Sequence, residues 1–327
     1  MHHSLKSLAS SLLLLVLLGA CAGNVDNDAN DDTEKSSEPA VSSAFPRTLE
    51  DANGDFTLEK EPQKVAIAHW GFVDSFLLFD TPSAAVVLPF SAEQSVLKTD
   101  VYKPYVETFD ELEVVGENQQ VNLEALLAYE PDLIIAGNQV NEDIDQLQQI
   151  APVFVVDEEE VNVWGDWPAL VSLFGDILGQ EDVAESFIRS FEQKVAEGRE
   201  KVANIEGEVA FLQAREATAW LQGTNYLPLY YDQLGLPVAD APIMKEGAEI
   251  SLEGISELNP DHLFIGYFQG DSDSNSSIIS EWEETNVWNS LQAVEKGQVY
   301  EMNGELALGY GPIGQSYGLE QVVKALE

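Results

Sequence analysis

The stretch "VNLEALLAYEPDLIIAG" (121–137) decides the fold, because the chain writes it twice. "ISLEGISELNPDHLFIG" (250–266) aligns with it without gaps at an offset of 129 residues. Leu123, Glu124, Pro131, Asp132 and Gly137 match Leu252, Glu253, Pro260, Asp261 and Gly266. In each copy a polar residue, Asn122 or Ser251, is placed to cap a helix. A glutamate follows two positions later, in the first turn, where a carboxylate favours the helix dipole. Pro–Asp then ends the helix and leads into an apolar run, which reads as a buried strand. "Helix, Pro–Asp, strand" is a common phrase in α/β proteins, but five identities in seventeen with glutamate in register exceed coincidence. Two such units imply two related lobes.

The surrounding sequence alternates in the same way. Asn53-Gly54 signals a primed-turn hairpin. Val65–Ala68 reads as a first buried strand, Gly71–Phe79 as a helix, and "AAVVLPF" (84–90) as a second strand. "LEVVG", a helix from Leu123, "PDLIIAG", a helix over 141–150 and "PVFVVD" complete the first half. "GEVAFLQA", a helix near 226–234, "PDHLFIGYF", a helix around 281–292, "GQVYEM" and a last helix from about Gly314 make up the second. This order predicts α/β lobes with parallel sheets. Between them, residues 167–204 carry apolar residues at helical spacing, from Leu170 and Phe174 to Phe191 and Val195. They are expected to form one long connecting helix of about 50 Å, with Gly175 and Gly179 marking a bend or break; the alternative is two surface helices joined at Gly179. The lobes are then residues 47–166 and 205–327.

Of the 327 residues, 58 are acidic and 15 basic, a formal charge of −43. Nucleic-acid binding is excluded on this balance, since a phosphate-reading surface needs clustered Lys and Arg, and adsorption to anionic lipid is disfavoured. With 45% hydrophobic residues the chain can bury real cores. Residues 1–20 hold one charge, Lys6, then the apolar run Leu12–Leu18, too short to span a membrane and readable as a signal peptide. "LGAC" (18–21) resembles a bacterial lipobox, which implies cleavage before Cys21 and its lipidation. Cys21 is the only cysteine, so no disulfide framework is available. Residues 21–46 then form a lipidated, disordered tether, rich in Asp, Asn, Ser and Ala and spanning roughly 25–30 Å.

"PQKVAIAHWGFVD", "NLEALLAYEPDLIIAG", its echo at 250–266, "VWNSLQAVEKGQVYEM" and "YGPIGQSYGLEQVVKAL" together carry a resemblance over roughly residues 47–327. The chain resembles the substrate-binding proteins of bacterial ABC importers for iron–siderophore complexes, ferric citrate and cobalamin. The resemblance implies a class III periplasmic binding protein, with two Rossmann-like lobes joined by one long α-helix. It implies a monomer that delivers a ferric chelate to a permease dimer with its ATPase, held at the cell envelope by its lipid anchor. It further implies that Glu124 and Glu253 meet permease arginines. The ligand would lie between the lobes on residues after strand ends: Trp70, Arg215, Trp220, Tyr267 and Tyr310. Aromatic faces would bury the organic chelator, and an arginine fork would pair with its oxygens. Hydroxamate-binding relatives carry an arginine where this chain has Asn118, which disfavours a highly anionic chelate and keeps a cobalamin- or haem-like ligand as an alternative. A continuous connecting helix would also limit hinge motion.

Other chemistries are weak. No cofactor is expected, and iron would be held by the chelator rather than by a protein metal site. After loss of the signal only His69 and His262 remain, too few nitrogen ligands for a zinc or manganese binder, and His69 reads as a core or rim residue. "DSDSNSS" (271–277) mimics a calcium loop but has Ser276 in place of the turn glycine and Trp282 in place of the bidentate glutamate. Gly314–Gly318 fits G-x-S-x-G, yet no histidine follows Ser316, so a hydrolase is not expected. The charge itself makes a prediction. Self-repulsion at −43 is relieved by screening, so thermal denaturation should show stability falling steeply as salt is withdrawn. A salt-indifferent melting temperature would contradict this.

Overall fold

The structure, a computed structural model, describes residues 44–138, 144–268 and 277–327. The expected signal peptide, Cys21, nearly all of the tether and the calcium-like loop lie outside the described residues, as do the first residues of the helix expected over 141–150.

The Asn53-Gly54 signal forms a hairpin of β1 (Arg47–Asp51) and β2 (Gly54–Leu58). The first large sheet uses β3 (Lys64–Ile67), β4 (Ser83–Val87), β5 (Glu111–Glu117), β6 (Gln120–Val121), β7 (Leu133–Ala136) and β8 (Val153–Val155), in the order β6-β5-β4-β3-β7-β8. All its pairings are parallel except β5–β6. β4, β7 and β8 are buried along their whole length, which is why they read as unbroken apolar runs. The second sheet uses β9 (Val209–Ala214), β10 (Ala219–Leu221), β11 (Ala248–Ile250), β12 (His262–Tyr267) and β13 (Val299–Asn303), in the order β11-β10-β9-β12-β13. β9, β12 and β13 run parallel; β10 and β11 add an antiparallel edge that the sequence pattern did not reveal. The helix expected near 226–234 is a π-helical turn at Leu229–Gln233, and the one around 281–292 is three short helices.

The repeat is structural. Leu123–Tyr129 and Leu252–Leu258 are helices of seven residues each. Asn122 caps the first by accepting from the amides of Glu124 and Ala125, and Ser251 caps the second by accepting from Gly254. Both end on a left-handed residue, Glu130 or Asn259. The aspartate of each Pro–Asp pair does more than stop a helix. Asp132 donates its amide to the Lys64 carbonyl at 2.9 Å and accepts from the Lys64 amide at 3.1 Å. Asp261 makes the same reciprocal pair with Glu208, at 2.9 and 3.0 Å. Each aspartate thereby aligns β7 on β3, or β12 on β9.

Residues 167–204 do not form one continuous helix. Two helices, Trp167–Leu178 and Glu181–Val202, meet at Gly179, whose φ of 71° lies in the left-handed region. There the chain leaves the first helix, the amides of Gly179 and Gln180 return to the Gly175 carbonyl, and Glu181 and Asp182 open a new first turn. The break is held from outside. Arg47 of the hairpin donates to the Asp176 carbonyl and, at 2.8 Å, to Glu181 Oε1, while the Gln180 amide brackets the backbone of Asp80. One apolar cluster runs from Val65 and Phe76 of the first lobe through Phe174 and Phe191 of these helices to Phe211 and Phe264 of the second.

The reciprocal bonds of Asp132 predict a measurable loss. Asp132→Ala leaves the Gln63 and Lys64 amides without their carboxylate, and should lower unfolding free energy in urea by about 1–3 kcal/mol.

Candidate ligand cleft

Strand order reverses between β3 and β7 in the first sheet and between β9 and β12 in the second. In open α/β sheets such a point, at the carboxyl ends of the strands, is where a crevice forms. A cavity of about 340 Å³ lies there, lined from both lobes. Three of the five residues expected to bind ligand converge on it: Trp70, which follows β3, Arg215, which follows β9, and Tyr310, which follows β13.

The cavity has an aromatic wall. The Trp164 ring stands 4.8 Å from Trp70 and 5.1 Å, edge to face, from Tyr310, so the wall crosses from one lobe to the other. Trp164 was missed in the sequence, although it follows β8 just as Trp70 follows β3; position after a strand was the available signal. Phe90 after β4 is another such residue, 44% exposed and lining the cavity. Arg215 stands over the Phe268 ring at 5.4 Å and makes no ion pair with a described residue.

Two of the expected residues lie outside the cavity lining. Trp220 lies on β10 paired with Gln213 and Glu249, 42% exposed and outside the cavity lining. A three-residue strand carries too short a pattern to be told from a loop over the cleft. Tyr267 is the last residue of β12 and does not line the cavity; its hydroxyl bonds to Ser277 and Glu301. Phe268, one residue on, lines it instead, as alternation along a strand requires. Asn118, where the sequence resemblance expected a ligand-gripping arginine in hydroxamate binders, forms the β5–β6 turn with Gln119 at φ of 52° and 66°. Gln119, not Asn118, reaches the cavity.

The lobes are tied across the cleft floor by Asp74, from the helix Val73–Phe76. Its Oδ2 accepts from the amides of Ile313 and Gly314 at 3.1 and 3.4 Å, at the start of the fifteen-residue C-terminal helix Pro312–Leu326. Tyr102 donates to Oδ1 at 2.5 Å. Gly311 is required here, because a Cβ would sit 1.8 Å from Asp74 Oδ2. Trp167 adds a second tie, donating through Nε1 to Gln315 Oε1 at 2.9 Å. Burial pushes the Asp74 carboxyl up to about 6, against the downward pull of its bonds from Tyr102, Gly314 and Ile313. Nearby, burial raises Glu305 to about 7, and its Oε2 is enclosed without a hydrogen-bond partner.

His69 is behind this wall rather than in it. Its Nδ1 accepts from the Gly71 amide at 3.1 Å and its ring stacks on Phe72 at 4.1 Å. Burial lowers it to about 4, so its 3.9 Å approach to Glu158 is not an ion pair at neutral pH. His262 is also buried, with Nε2 against the Glu206 carbonyl. Among the described residues no group of three or more His, Cys, Asp or Glu side chains could hold a metal ion, and no helix is long and apolar enough to cross a membrane.

The family profile described as periplasmic binding protein matches residues 68–306, and the chain belongs to that family. It is 26% identical to the iron(3+)-hydroxamate-binding protein FhuD of Bacillus subtilis, over 100% of this chain and 99% of that one. It is 26% identical to the Fe(3+) dicitrate-binding periplasmic protein FecB of Escherichia coli, over 79% and 83%. Among solved structures, the petrobactin-binding protein YclQ of Bacillus subtilis superposes with a TM-score of 0.67 at 20% identity, covering 86% of this chain and 99% of that one. At that identity the likeness establishes the fold.

The Asp74 tie predicts a pH dependence. A carboxyl raised from 3.8 to about 6 binds its proton more tightly in the folded protein. Its stabilisation is complete below the unfolded value and is lost as pH rises through about 6. Urea unfolding should show wild type losing stability relative to Asp74→Asn over that window. Parallel curves would remove the assignment.

Proposed function

We propose that this chain is the substrate-binding lipoprotein of an ABC importer, taking an Fe(III)–siderophore or ferric citrate-like chelate between its lobes and delivering it to a permease dimer driven by a partner ATPase. The observation that carries the reading is the interlobe cavity, with Trp70, Trp164 and Tyr310 as its wall and Arg215 as its cation. An organic chelator offers apolar surface to such a wall and oxygens to such a fork. Near full-length similarity to proteins named for ferric hydroxamate and ferric dicitrate supports the same ligand class.

The chain binds and does not catalyse. Ser316 Oγ donates to the Pro312 carbonyl at 2.8 Å, a bond within the C-terminal helix. In this reading residues 1–20 direct export and Cys21 carries the lipid. Residues 22–46 tether a monomeric receptor, comprising lobes 47–166 and 205–327 and the connecting segment 167–204, to the outer face of a membrane. Glu124 and Glu253 are the docking points. Both are exposed, and both occupy the second position of a matching capped helix, one per lobe. Such a pair suits a twofold partner with basic pockets.

A panel of ferric citrate, a ferric hydroxamate, a ferric catecholate and cobalamin, titrated by tryptophan fluorescence, tests the reading. A ferric chelate should bind, and Arg215→Ala should weaken it roughly tenfold or more. Glu124→Lys with Glu253→Lys should abolish uptake while leaving affinity unchanged. Binding of cobalamin alone, or uptake that survives charge reversal, would contradict the respective assignment.

A further inference from the structure

The cleft contains an acid that the receptor reading leaves unused. Glu305 sits in the short helix Gly304–Ala307 after β13 and lines the cavity. Of the two carboxyl groups among the described lining residues, Asp74 is already engaged, accepting from Tyr102 on one oxygen and from two backbone amides on the other. Glu305 Oε2 is shielded and accepts from no described group. A carboxylate oxygen removed from water without a donor is costly, and a ligand that brings the donor removes that cost.

Charge narrows the ligand. Among the described residues that line the cavity, Arg215 is the one cation, against two carboxyl groups. A ferric tricatecholate carries a formal charge of about −3 and would face more acid than base. Three hydroxamates instead balance Fe(III), and a terminal ammonium would leave such a chelate cationic. An ammonium has three donors and no acceptor, which complements the half-buried Glu305 carboxyl with its unpaired oxygen. Arg215 is then left for the hydroxamate oxygens.

We propose that Glu305 is the specificity-determining residue of the cleft and selects electroneutral-core ferric chelates that present an ammonium or similar donor to its carboxyl group. This rests on the receptor reading above and adds the ligand's charge and polarity. Glu305 discriminates by difference: it attracts the donor-bearing chelate and opposes anionic ones.

The test uses the full chain and two probes with the same iron centre: a linear ferric trihydroxamate with a free terminal ammonium, and that chelate N-acetylated. Wild type should bind the ammonium form roughly ten- to a hundredfold more tightly, the range of a charge-assisted hydrogen bond. Glu305→Gln should bring the ratio near one, chiefly by weakening the ammonium form, while Glu305→Asp, with the charge kept, should retain a ratio above one. Thermal melts verify that each variant is folded, and the wild-type ratio stands independently of them. A wild-type ratio near one, or a ratio unchanged in Glu305→Gln, overturns the inference while the receptor reading stands, because a ferric chelate still binds. If neither trihydroxamate binds, the inference also falls. Only when no ferric chelate of the wider panel binds does the receptor reading fall with it.

Discussion

A carboxylate from one lobe caps a helix of the other. Asp74 reaches across the cleft floor to the first amides of the C-terminal helix Pro312–Leu326, and Tyr102 holds its second oxygen. The start of a helix leaves backbone donors unsatisfied, so the contact satisfies Ile313 and Gly314 and joins the lobes in one bond set. Glycine at 311 clears the approach. The cavity has its shape because this tie, together with Trp167 to Gln315, sets the lobes' spacing at one edge. The aromatic wall needs that spacing, since Trp164 and Tyr310 come from opposite lobes.

The connection between lobes follows a related logic. A single rod would hold the halves apart by its own stiffness. The chain instead breaks at Gly179 and packs two helices against each other, with Arg47 and Gln180 clamping the junction. Rigidity then comes from packing. The apolar cluster continues through these helices into both lobes, so a wide hinge opening would have to separate buried surface as well as break the Asp74 tie. The expectation of limited hinge motion then rests on packing rather than on helix continuity.

Electrostatics divides the molecule. Among the described residues, the cleft lining combines one arginine with two carboxyl groups, both of whose pKa values burial raises. Such a site, unlike the acidic composition as a whole, selects through a few placed charges and hydrogen-bonding groups.

Much of the architecture was legible in the sequence. Apolar runs such as "SAAVV" and "LIIA" can satisfy burial on both faces only as central parallel strands. The repeated Asn122/Ser251 caps, first-turn glutamates and Pro–Asp pairs are local devices whose physics acts within a few residues, and they determined two equivalent lobes. Short edge strands such as β10 carry no comparable signal, so Trp220 was placed in the wrong setting. Tertiary structure alone decided which aromatics share a wall, that Asp74 spans the cleft, that Arg47 and Gln180 clamp the break at Gly179, and that Glu305 keeps an oxygen unpaired. These depend on residues far apart in the chain meeting at fixed distances, and that information resides in the packing of the lobes rather than in any local run of residues.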